Sequence, residues 1–580
     1  MRRQLQYLRE YKKESMIAPL FKMLEACFEL IVPLIMANII DIGIGSQDKG
    51  YIMRMGGVLV LLGVVGLACS LTAQYFAAKA AMGFGTALRN SLYAHISRFS
   101  YQELDKVGMP TLITRMTSDV NQVQTGVNIV LRLFLRSPFI VAGAVIMAFT
   151  IQAKIGIIFL LSVPAIGAVV FGIIHVTIPL YKKAQGTLDQ IARITRENLI
   201  GVRVIRAFRG QEKEIKAFQK TNENLYETQV HVGAISSLMN PLTYILVNLA
   251  IILVIYVGGL EVEKGSLTTG DVYALVNYMT QILLALIAMA NLITSVTKAT
   301  ASSIRLDEVF NLEPGMKEGS HDFSEMSAED GPKIEFDHVS FAYGNSEEEA
   351  LSEITFEARA GQTIGIIGGT GAGKSTLVNL IPRFYDATKG SIKINGCEVK
   401  EYTYSSLREM IGVVPQKAVL FRGTIRENMR WGKKDATDEE IMEALRIAQA
   451  EEFVMAKPGQ LDEMISAGGK NLSGGQRQRL TIARALVAKP EILILDDSAS
   501  ALDYATDAAL RKALRDLPFA MTVLIVSQRA ASIMHADQII VLEDGGMAGI
   551  GTHEQLLDTC ETYQEICMSQ LSKEEVRMHA

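Results

Sequence analysis

The stretch that decides the fold of the C-terminal half is a short apolar run followed by a glycine-rich loop, Thr363-Ile364-Gly365-Ile366-Ile367-Gly368-Gly369-Thr370-Gly371-Ala372-Gly373-Lys374-Ser375. The apolar run predicts a buried strand and residues 374–383 predict a helix, which is the context that a phosphate-binding loop requires. Glycines let backbone N–H groups converge on phosphate oxygens, and the helix N-terminus adds a positive partial charge. We therefore expect Lys374 to reach the β- and γ-phosphates of a nucleotide, and Ser375 to hold Mg²⁺. A glycine turn that merely reverses the chain is the alternative.

A second apolar run ends in a carboxylate and supports this interpretation. It reads Ile492-Leu493-Ile494-Leu495-Asp496. An aspartate at such a strand end can hold Mg²⁺ through water, across the sheet from a phosphate loop. Many buried strands end in aspartate, so this pattern gains its meaning from the phosphate loop that precedes it.

Composition places the chain among membrane proteins with more than one domain. At 580 residues it is too long for one ordinary domain, and 49% of its residues are apolar. The net charge of -5 gives no argument for nucleic-acid binding, and we expect none. Five scattered cysteines form neither a disulfide framework nor a metal-type spacing. Basic residues near the N-terminus are not followed by a short apolar core and a cleavage site, so we expect no signal peptide.

Six segments of the first half are long enough to cross a bilayer, which takes about 20 helical residues. Only helices or closed barrels satisfy backbone polar groups in lipid, and these segments have helix length. The third is short by itself and is expected to extend back through residues 127–134. The segments are 16–40, 56–81, 137–151, 155–180, 232–260 and 272–296.

Basic residues predict the orientation. They are abundant before the first span and in the long connections 82–136 and 182–231, whereas the short connections between the other spans carry few. The positive-inside bias therefore predicts a multi-pass protein of the plasma membrane with both termini in the cytoplasm. Residues 81–104 and 188–230 lack proline and keep apolar residues at helical spacing, so we expect helices that continue beyond the bilayer, with a short turn at each tip.

A polar, acidic segment marks a domain boundary. We expect a transmembrane domain at 1–314, a linker at 315–332 and a second domain at 333–580. In the last of these, short apolar runs alternate with helical stretches, which predicts an α/β domain with a largely parallel core sheet. The expected fold class is a six-helix membrane domain fused to an α/β phosphate-loop domain.

A rarer motif identifies the family. Leu472-Ser473-Gly474-Gly475-Gln476-Arg477-Gln478-Arg479 matches the signature of ATP-binding cassette (ABC) proteins, and residues 333–580 resemble their nucleotide-binding domain. Ser473 can cap the helix that follows, so that its N-terminus faces an anion. The resemblance implies that this anion is the γ-phosphate of ATP held by the opposite domain, with ATP and Mg²⁺ as cofactors. A capped surface helix without a ligand is the alternative.

The resemblance also assigns roles to single residues. It implies that Tyr343 stacks on adenine and that Thr376 contacts ATP together with Lys374 and Ser375. It also implies that Gln416, Ser375 and Asp496 contact Mg²⁺. The run Ser500-Ala501-Leu502-Asp503 matches the loop through which the two sites communicate, with Asp503 as its expected site residue.

Two catalytic positions depart from the family. Asp497 replaces the glutamate that polarises the attacking water, and Gln528 replaces the histidine that contacts the γ-phosphate. Aspartate is one methylene shorter, a displacement of about 1 Å can cost about 100-fold, and loss of a general base typically costs about 10²–10⁴-fold. Ala467, where many members have a glutamate, is a third departure. Either catalytic change alone is compatible with drift, but both together predict a site that binds ATP and hydrolyses it slowly.

The intact signature gives this degenerate chain a second role. Residues Ser473, Gly474, Gly475 and Gln476 can complete the site on another chain's phosphate loop. The sequence therefore favours a heterodimer with a different half-transporter that keeps the catalytic glutamate and histidine.

The membrane half resembles an exporter half-transporter, so the resemblance covers essentially the whole chain. Residues 108–119 resemble the first intracellular coupling region, and 197–201 through 205–208 resemble the second. The alternative is basic amphipathic helices with no docking role. The commonest cargo of similar proteins is an amphipathic, drug-like solute, which would leave the cell through the lipid bilayer.

Polar residues in the spans give the only hints about cargo. Lys22, Glu25 and Glu29 share one face of the first span, as Asn277 and Gln281 do in the sixth. Charges in lipid usually face a cavity or a partner, so the carboxylates either attract cationic cargo or form ion pairs, which we favour.

Other functions remain open at this point. Export of lipids, siderophores or peptides is possible, and an ATP-gated membrane sensor or channel is compatible with Asp497. A soluble nucleotide enzyme with a membrane anchor fits six spans poorly.

Overall fold

The computed structural model describes residues 4–322, 332–344, 346, 348–498 and 500–570. Met1–Ser97 and Pro110–Leu312 form one compact unit, called the membrane unit below. Arg98–Met109 and Glu313–Ala580 form the other, called the C-terminal unit. Within the predicted linker, residues 323–331 lie outside the described part of the chain.

Long helices dominate the first half of the chain. Turns of π-helix at Ile39–Ile44 and Arg115–Asp119 extend two of them. The helices are α1 Lys12–Asn38, α2 Lys49–Ile96, α3 Tyr101–Val107, α4 Met109–Thr114, α5 Val120–Leu133, α6 Arg136–Ile151, α7 Ala153–Ile200, α8 Val202–Ala207, α9 Gln211–Ser237, α10 Met239–Glu263 and α11 Thr269–Phe310.

The described residues contain six helical stretches long and apolar enough to cross a membrane, as predicted. Short turns separate the spans where the sequence supplies helix caps. Asp48 accepts a hydrogen bond from the Tyr51 backbone at 3.0 Å at the start of α2. Thr268 and Asp271 form a reciprocal capping box at the start of α11. The spans are Gln6–Ile44, Lys49–Ile96, Met109–Ile151, Ala153–Ile200, Gln211–Glu263 and Thr269–Phe310.

The helices continue well beyond the apolar segments, which confirms that prediction. Helix α2 runs unbroken to Ile96 and α7 to Ile200. The second connection is interrupted at its tip by the short helix α8, between Gly201 and Gly210. The tip thus carries the predicted short turn.

The first tip differs from the expected segment. Helix α3, which ends immediately before the predicted stretch 108–119, groups with the C-terminal unit. The Tyr385 hydroxyl donates to Asp105 at 2.7 Å, and the rings of Tyr101 and Phe384 lie 4.8 Å apart. Gly108, at a φ of +81°, ends α3 and separates it from α4. The sequence did not predict the contact of α3 with Phe384 and Tyr385, because a helix of seven residues is too short to show a hydrophobic period.

A buried carboxylate joins two helices of the membrane unit. The Asp119 side chain, only 4% exposed, accepts from Arg115 at 2.9 Å and from Arg305 Nε of α11 at 3.1 Å. A second nitrogen of Arg305 also contacts Asp119. Two guanidinium groups therefore share one buried negative charge, where α11 packs against the start of α5.

The C-terminal unit contains two sheets and a short two-stranded ladder. A six-stranded sheet has the order β12-β11-β3-β10-β9-β6, in which β12 alone is antiparallel to its neighbour. This confirms the predicted largely parallel core. A four-stranded antiparallel sheet, β2-β1-β4-β5, was not predicted. The pairing of β1 with β4 joins distant segments, which no local turn pattern reveals. The hairpin of β4 and β5 turns at Asn395-Gly396, a local signal that the prediction missed.

The elements of this unit alternate as expected for an α/β fold. The strands are β1 Ile334–Phe341, β2 Leu351–Ala358, β3 Thr363–Gly368, β4 Lys389–Ile394, β5 Cys397–Glu398, β6 Ile411–Val414, β7 Gly423–Thr424, β8 Met464–Ile465, β9 Ile492–Asp496, β10 Thr522–Val526, β11 Gln538–Glu543 and β12 Gly546–Gly551. The helices are α12 Lys374–Leu380, α13 Tyr404–Glu409, α14 Ile425–Met429, α15 Asp438–Ile447, α16 Glu451–Met455, α17 Gly474–Leu486, α18 Tyr504–Arg515, α19 His553–Thr559 and α20 Glu561–Gln570.

Neutralising Asp119 should destabilise the membrane unit. Asp119 is buried, but its partners Arg115 and Arg305 are 18% and 39% exposed, so loss of its charge should cost less than the roughly 3–5 kcal/mol of breaking a fully buried ion pair. We expect Asp119→Asn to lower the melting temperature of the purified chain in detergent by several degrees. Glu349→Gln, which breaks the solvent-exposed pair with Lys389, is the matched control and should change it little. Equal melting temperatures for the two variants would contradict this role.

Candidate nucleotide-binding site

The order of the parallel strands gathers the predicted site at one edge of the sheet. Neighbouring strands β6, β9, β10 and β3 all end at this edge. The residues that follow their carboxyl ends are Gln416 after β6, Asp497 after β9, Gln528 after β10, and the phosphate loop after β3. Ligands bind in the crevice outside the carboxyl ends of such strands, so the fold places these side chains around one crevice.

Lys374 is folded back onto the phosphate loop. Its Nζ donates to the carbonyl oxygens of Gly368 at 2.9 Å and Gly369 at 2.6 Å. Burial lowers the pKa of the Lys374 ammonium, and the negative charges of Asp497 and Asp496 partly offset this. A bound phosphate would place a full negative charge beside this buried ammonium group.

The loop is open on the side where a phosphate would bind. A Cβ atom added at Gly369 or Gly371 would meet no atom within 4 Å. At Gly373, where φ is +91°, it would lie 2.7 Å from the Leu351 side chain. Gly373 therefore packs closely against β2, while the outer rim is free. The other loop residues are one exposed and one buried side chain, Thr370 and Ala372.

Ser375 and Asp496, two of the predicted Mg²⁺ ligands, are in direct contact. The Ser375 hydroxyl donates to Asp496 at 3.0 Å, and Asp496 is only 8% exposed. Burial raises the pKa of the Asp496 carboxyl, against the lowering effect of that hydrogen bond. Mg²⁺ prefers oxygen ligands, and both side chains offer one. Among the described residues, the buried negative charge of Asp496 has only the Ser375 hydroxyl as a hydrogen-bonding side-chain partner, so a cation would be favourable there. Bound there, the ion would supply positive charge beside the phosphates.

Gln416 and Asp497 are in direct contact. Gln416 Nε2 donates to Asp497 Oδ2 at 3.2 Å. The Asp497 backbone is left-handed, with φ at +45°, and its N–H donates to Val526 at 3.0 Å. Left-handed backbone is uncommon outside glycine, although aspartate tolerates it better than most residues. The shortened carboxylate is thus held by its own strand end and by the Gln416 amide.

Tyr343 lies beside the helix of the phosphate loop. Its hydroxyl and that of Thr376 are 3.0 Å apart, and its ring packs edge-on against Phe341 and Tyr385. The residue is 41% exposed. A ring fixed at its edges and partly exposed can stack on a nucleotide base.

Gln528 is held through its backbone by the C-terminal helix. Gln570 donates from Nε2 to the Gln528 carbonyl at 2.8 Å and accepts from the Ala530 N–H at 2.9 Å. The Gln528 side chain is exposed, and in the described residues no hydrogen bond joins it to the phosphate loop. Sequence reasoning missed Gln570, because nothing local marks the end of a distant helix as a clamp.

The signature motif begins helix α17, away from the phosphate loop of its own chain. Ser473 and Gln476 form a reciprocal capping box, at 3.2 Å and 3.1 Å. Ser473 and Gly474 are exposed, and Gly475 packs near the Ala501 carbonyl. Throughout the described part of the chain, no hydrogen bond or ion pair links this helix tip to the loop. The N-terminus of α17 is therefore exposed and can bind an anion from outside the chain.

Asp503 has a structural role in this state. It caps α18 by accepting from the Thr506 N–H at 2.9 Å and from its hydroxyl at 2.8 Å. These bonds lower the pKa of the Asp503 carboxyl. The expected inter-site loop is thus anchored at its far end by a helix cap.

The charges in the first span are paired. Lys22 lies 2.6 Å from Glu25, and Arg136 of α6 donates to Glu29 at 2.8 Å. These contacts support the ion-pair interpretation over carboxylates that are free to attract a cation.

The polar residues of the sixth span contact backbone carbonyls. Gln281 donates to the Glu29 carbonyl of the first span at 3.2 Å, whereas Asn277 bonds within its own helix, to Tyr273 at 3.0 Å. Helix-to-helix bonding thus describes Gln281, and nothing in these contacts assigns either residue to cargo.

Comparisons with known proteins agree with this architecture. Family models match in two places, the ABC transporter transmembrane region at residues 15–286 and the ABC transporter domain at 351–500. The chain is 38% identical, over 99% of both chains, to the uncharacterized ABC transporter ATP-binding protein YfiB of Bacillus subtilis.

Relatives with more specific names are also similar along most of their length. An ATP-dependent lipid A-core flippase of Desulfotalea psychrophila is 34% identical over 82% of each chain. The putative multidrug export ATP-binding/permease protein YgaD of Bacillus subtilis is 30% identical over 98% of each. A bacterial Atm1-family ABC exporter with ATP bound has the same fold, with a TM-score of 0.80 at 23% identity, covering 97% of this chain and all of that one.

Replacing Lys374 should weaken nucleotide binding. Hydrogen bonds to a charged group contribute about 1.5–3 kcal/mol, so we expect Lys374→Met to weaken ATP binding by about 10- to 100-fold. Binding of a fluorescent ATP analogue to the purified chain would measure this. Lys512→Met, on the exposed face of α18, is the matched control. Unchanged affinity in Lys374→Met would rule out the phosphate contact.

Proposed function

The chain belongs to the ABC transporter family, with the fold of an exporter half-transporter, and we propose that it is one subunit of a heterodimeric exporter. In this proposal, ATP binding and hydrolysis drive amphipathic solutes out of the cell. The chain's own ATP site is slow, and its signature motif completes the active site of a second, different half-transporter. The single observation that carries the proposal is the paired change at Asp497 and Gln528, beside an otherwise complete ATP site.

The geometry around Asp497 supports a slow site. Hydrolysis needs a carboxylate that orients the water attacking the γ-phosphate, because catalysis of phosphoryl transfer consists mainly of positioning and electrostatic stabilisation. The Asp497 carboxylate instead contacts Gln416. The aspartate side chain is one methylene shorter than that of glutamate, so its carboxylate reaches less far towards a bound nucleotide. Gln528 can donate a hydrogen bond but cannot carry the positive charge of an imidazolium.

The outward tip of α17 supports the second half of the proposal. The Ser473 hydroxyl caps the helix by accepting from the Gln476 N–H. The N–H groups of Gly474 and Gly475, the first two helical residues, can then face an anion. A neighbouring subunit that presents ATP on its own phosphate loop supplies that anion.

A surface cleft of the C-terminal unit supports docking by another subunit. The cleft has a volume of about 930 Å³ and is lined by Phe421, Trp431 and Arg484 among others. Arg484 Nη1 is buried and has no hydrogen-bond partner in the described residues. The second coupling tip exposes a matching set of large apolar side chains, which are Leu199, Ile200, Val204 and Phe208. We infer that a partner's tip docks into this cleft and transmits closure of the ATP sites to the spans.

The membrane orientation follows from the same proposal. The C-terminal unit needs cellular ATP, so it lies in the cytoplasm. The basic connections then face the cytoplasm together with both termini, which agrees with the positive-inside bias.

The cargo class rests on weaker support. Two relatives are named for multidrug export and for lipid A-core flipping, and these names support an amphipathic cargo. Lipid or peptide export is therefore the first alternative within this mechanism. An ATP-gated sensor or channel is the second, and ATP-dependent solute flux into inverted vesicles would separate it from a transporter.

Restoring the catalytic side chains should activate the chain. Without a partner we expect slow ATP hydrolysis, and we expect the double variant Asp497→Glu/Gln528→His to be about 100-fold faster, since a shift of about 1 Å has that effect. Steady-state phosphate release from the purified chain in lipid nanodiscs would measure both rates.

The matched control is Asp516→Glu, an exposed position outside the ATP site that should leave the rate unchanged. Fast hydrolysis by the unaltered chain alone, abolished by Asp497→Asn, would overturn the assignment of a slow site.

The shared site can be tested by mixing two inactive variants. In the activated background, Gly475→Asp should block the signature with a negative charge, and Lys374→Met should remove the phosphate contact. Each variant alone is expected to be inactive. Random pairing of equal amounts gives half mixed dimers, each with one intact site of two, so about a quarter of the rate should return. No recovery on mixing would argue against sites built from two chains.

A further inference from the structure

The segment before β1 runs alongside residues 401–403 of the same C-terminal unit. The His321 N–H donates to the Glu401 carbonyl at 2.9 Å, and the Thr403 N–H donates back to His321 at 3.1 Å. Gly319 donates to the Tyr402 carbonyl at 3.1 Å, and a Cβ atom on Gly319 would lie 2.1 Å from the Glu401 oxygen. The backbone of His321 is therefore held at a fixed place beside the turn that follows β5.

Three side chains with different donor atoms meet at this place. Cys397 Sγ donates to Glu401 Oε2 at 3.2 Å, and His321 Nδ1 lies 4.0 Å from the sulfur and 3.8 Å from the same carboxylate oxygen. All three donor atoms lie within 4.8 Å of one another. Sequence spacing did not reveal this group, because His321 is 76 residues from Cys397 and belongs to another element.

The separations approach those of a tetrahedral metal site. Bonds of about 2.3 Å to sulfur and 2.0–2.2 Å to nitrogen or oxygen place ligand atoms about 3.3–3.6 Å apart. Shifts of about half an ångström in the donor atoms would therefore give them the separations of a tetrahedral site. The side chains of His321 and Glu401 are 46% and 54% exposed, so both can rotate, whereas Cys397 is buried and fixed.

We propose that His321, Cys397 and Glu401 form a binding site for a thiophilic divalent metal ion such as Zn²⁺, with water as the fourth ligand. One thiolate, one imidazole and one carboxylate are the ligand types that Zn²⁺ accepts, while Mg²⁺ and Ca²⁺ prefer oxygen alone. The site is separate from the predicted Mg²⁺ ligands of the ATP site.

The metal takes the place of a proton. Burial and the Glu401 carboxylate raise the pKa of the Cys397 thiol to about 11, so the sulfur carries its proton at neutral pH. On binding, the S–H bond breaks, a sulfur–metal bond forms and the proton passes to the solvent. Cys397 and Glu401 would then hold the ion, whose positive charge would stabilise the thiolate. No electron transfer is involved.

The metal would fasten residues 319–321 to the turn that follows β5, within the C-terminal unit. His321 follows Phe310, the last residue of α11, and precedes β1, so it lies on the chain that connects the spans to the nucleotide domain. A ligand that binds only the folded arrangement stabilises it in proportion to its saturation. The site thus gives Zn²⁺ a means of restraining this connection.

Cobalt(II) absorption on the full-length chain in detergent, without a polyhistidine tag, tests the site. We expect a sulfur-to-cobalt charge-transfer band in the near ultraviolet, together with tetrahedral d–d bands that Zn²⁺ removes by competition. Cys397→Ser should lose the near-ultraviolet band, and His321→Ala should weaken binding and alter the d–d bands. Cys560→Ser, which changes another buried cysteine, is the matched control and should keep both.

Two outcomes overturn the proposal. One is the absence of the sulfur-to-cobalt band from the unaltered chain, and the other is its persistence in Cys397→Ser. If the Cys397 variant does not fold, alkylation of the unaltered chain decides. Mass spectrometry should then show that Zn²⁺ protects Cys397 from a thiol reagent in mild denaturant while leaving Cys560 as reactive as before, and equal labelling of Cys397 with and without Zn²⁺ overturns the site.

Discussion

The burial of opposite charges at one sheet edge is the constraint on which the nucleotide domain depends. Lys374 and Asp496 are both 9% exposed or less, and burial disfavours the charged form of each. Removing ions from water is costly unless strong partners replace it. In the protein alone, loop carbonyls and a single serine hydroxyl supply part of that replacement. Phosphate oxygens and Mg²⁺ would supply the rest, so a bound nucleotide would stabilise this edge of the sheet.

In the proposed mechanism, the same edge explains why a side chain shorter by one methylene would slow hydrolysis. Strand β9 fixes Asp496 and Asp497 next to each other, and the left-handed backbone of Asp497 sets the direction in which its side chain leaves the strand. A longer side chain from that position would extend further into the crevice. The observed carboxylate stops at Gln416, which itself follows the neighbouring strand β6. A glutamate at this position would carry the same charge. The difference is the distance that the carboxylate extends from the strand.

Local sequence signals predicted the parts of the structure that local physics determines. Apolar length predicted the spans, and strand–loop–helix order predicted the phosphate loop, because each depends on neighbours in sequence. The contact of α3 with Phe384 and Tyr385 escaped prediction, as did the Gln570 clamp on the Gln528 backbone. Both join segments far apart in the chain. Likewise, the positions of Lys22 and Glu29 were evident from hydropathy, but the Arg136 partner of Glu29 required the packing of α6.

A site that binds ATP and hydrolyses it slowly still has a mechanical use in the proposed heterodimer. Nucleotide held between one chain's phosphate loop and another's helix tip contributes binding free energy only to the closed arrangement. Hydrolysis removes that contribution at the fast site, while the slow site retains it. The two subunits would then remain joined on one side while the other opens, and the cleft around Arg484 would transmit an unequal motion to the spans. Intact binding residues beside a shortened Asp497 are the combination that this arrangement needs.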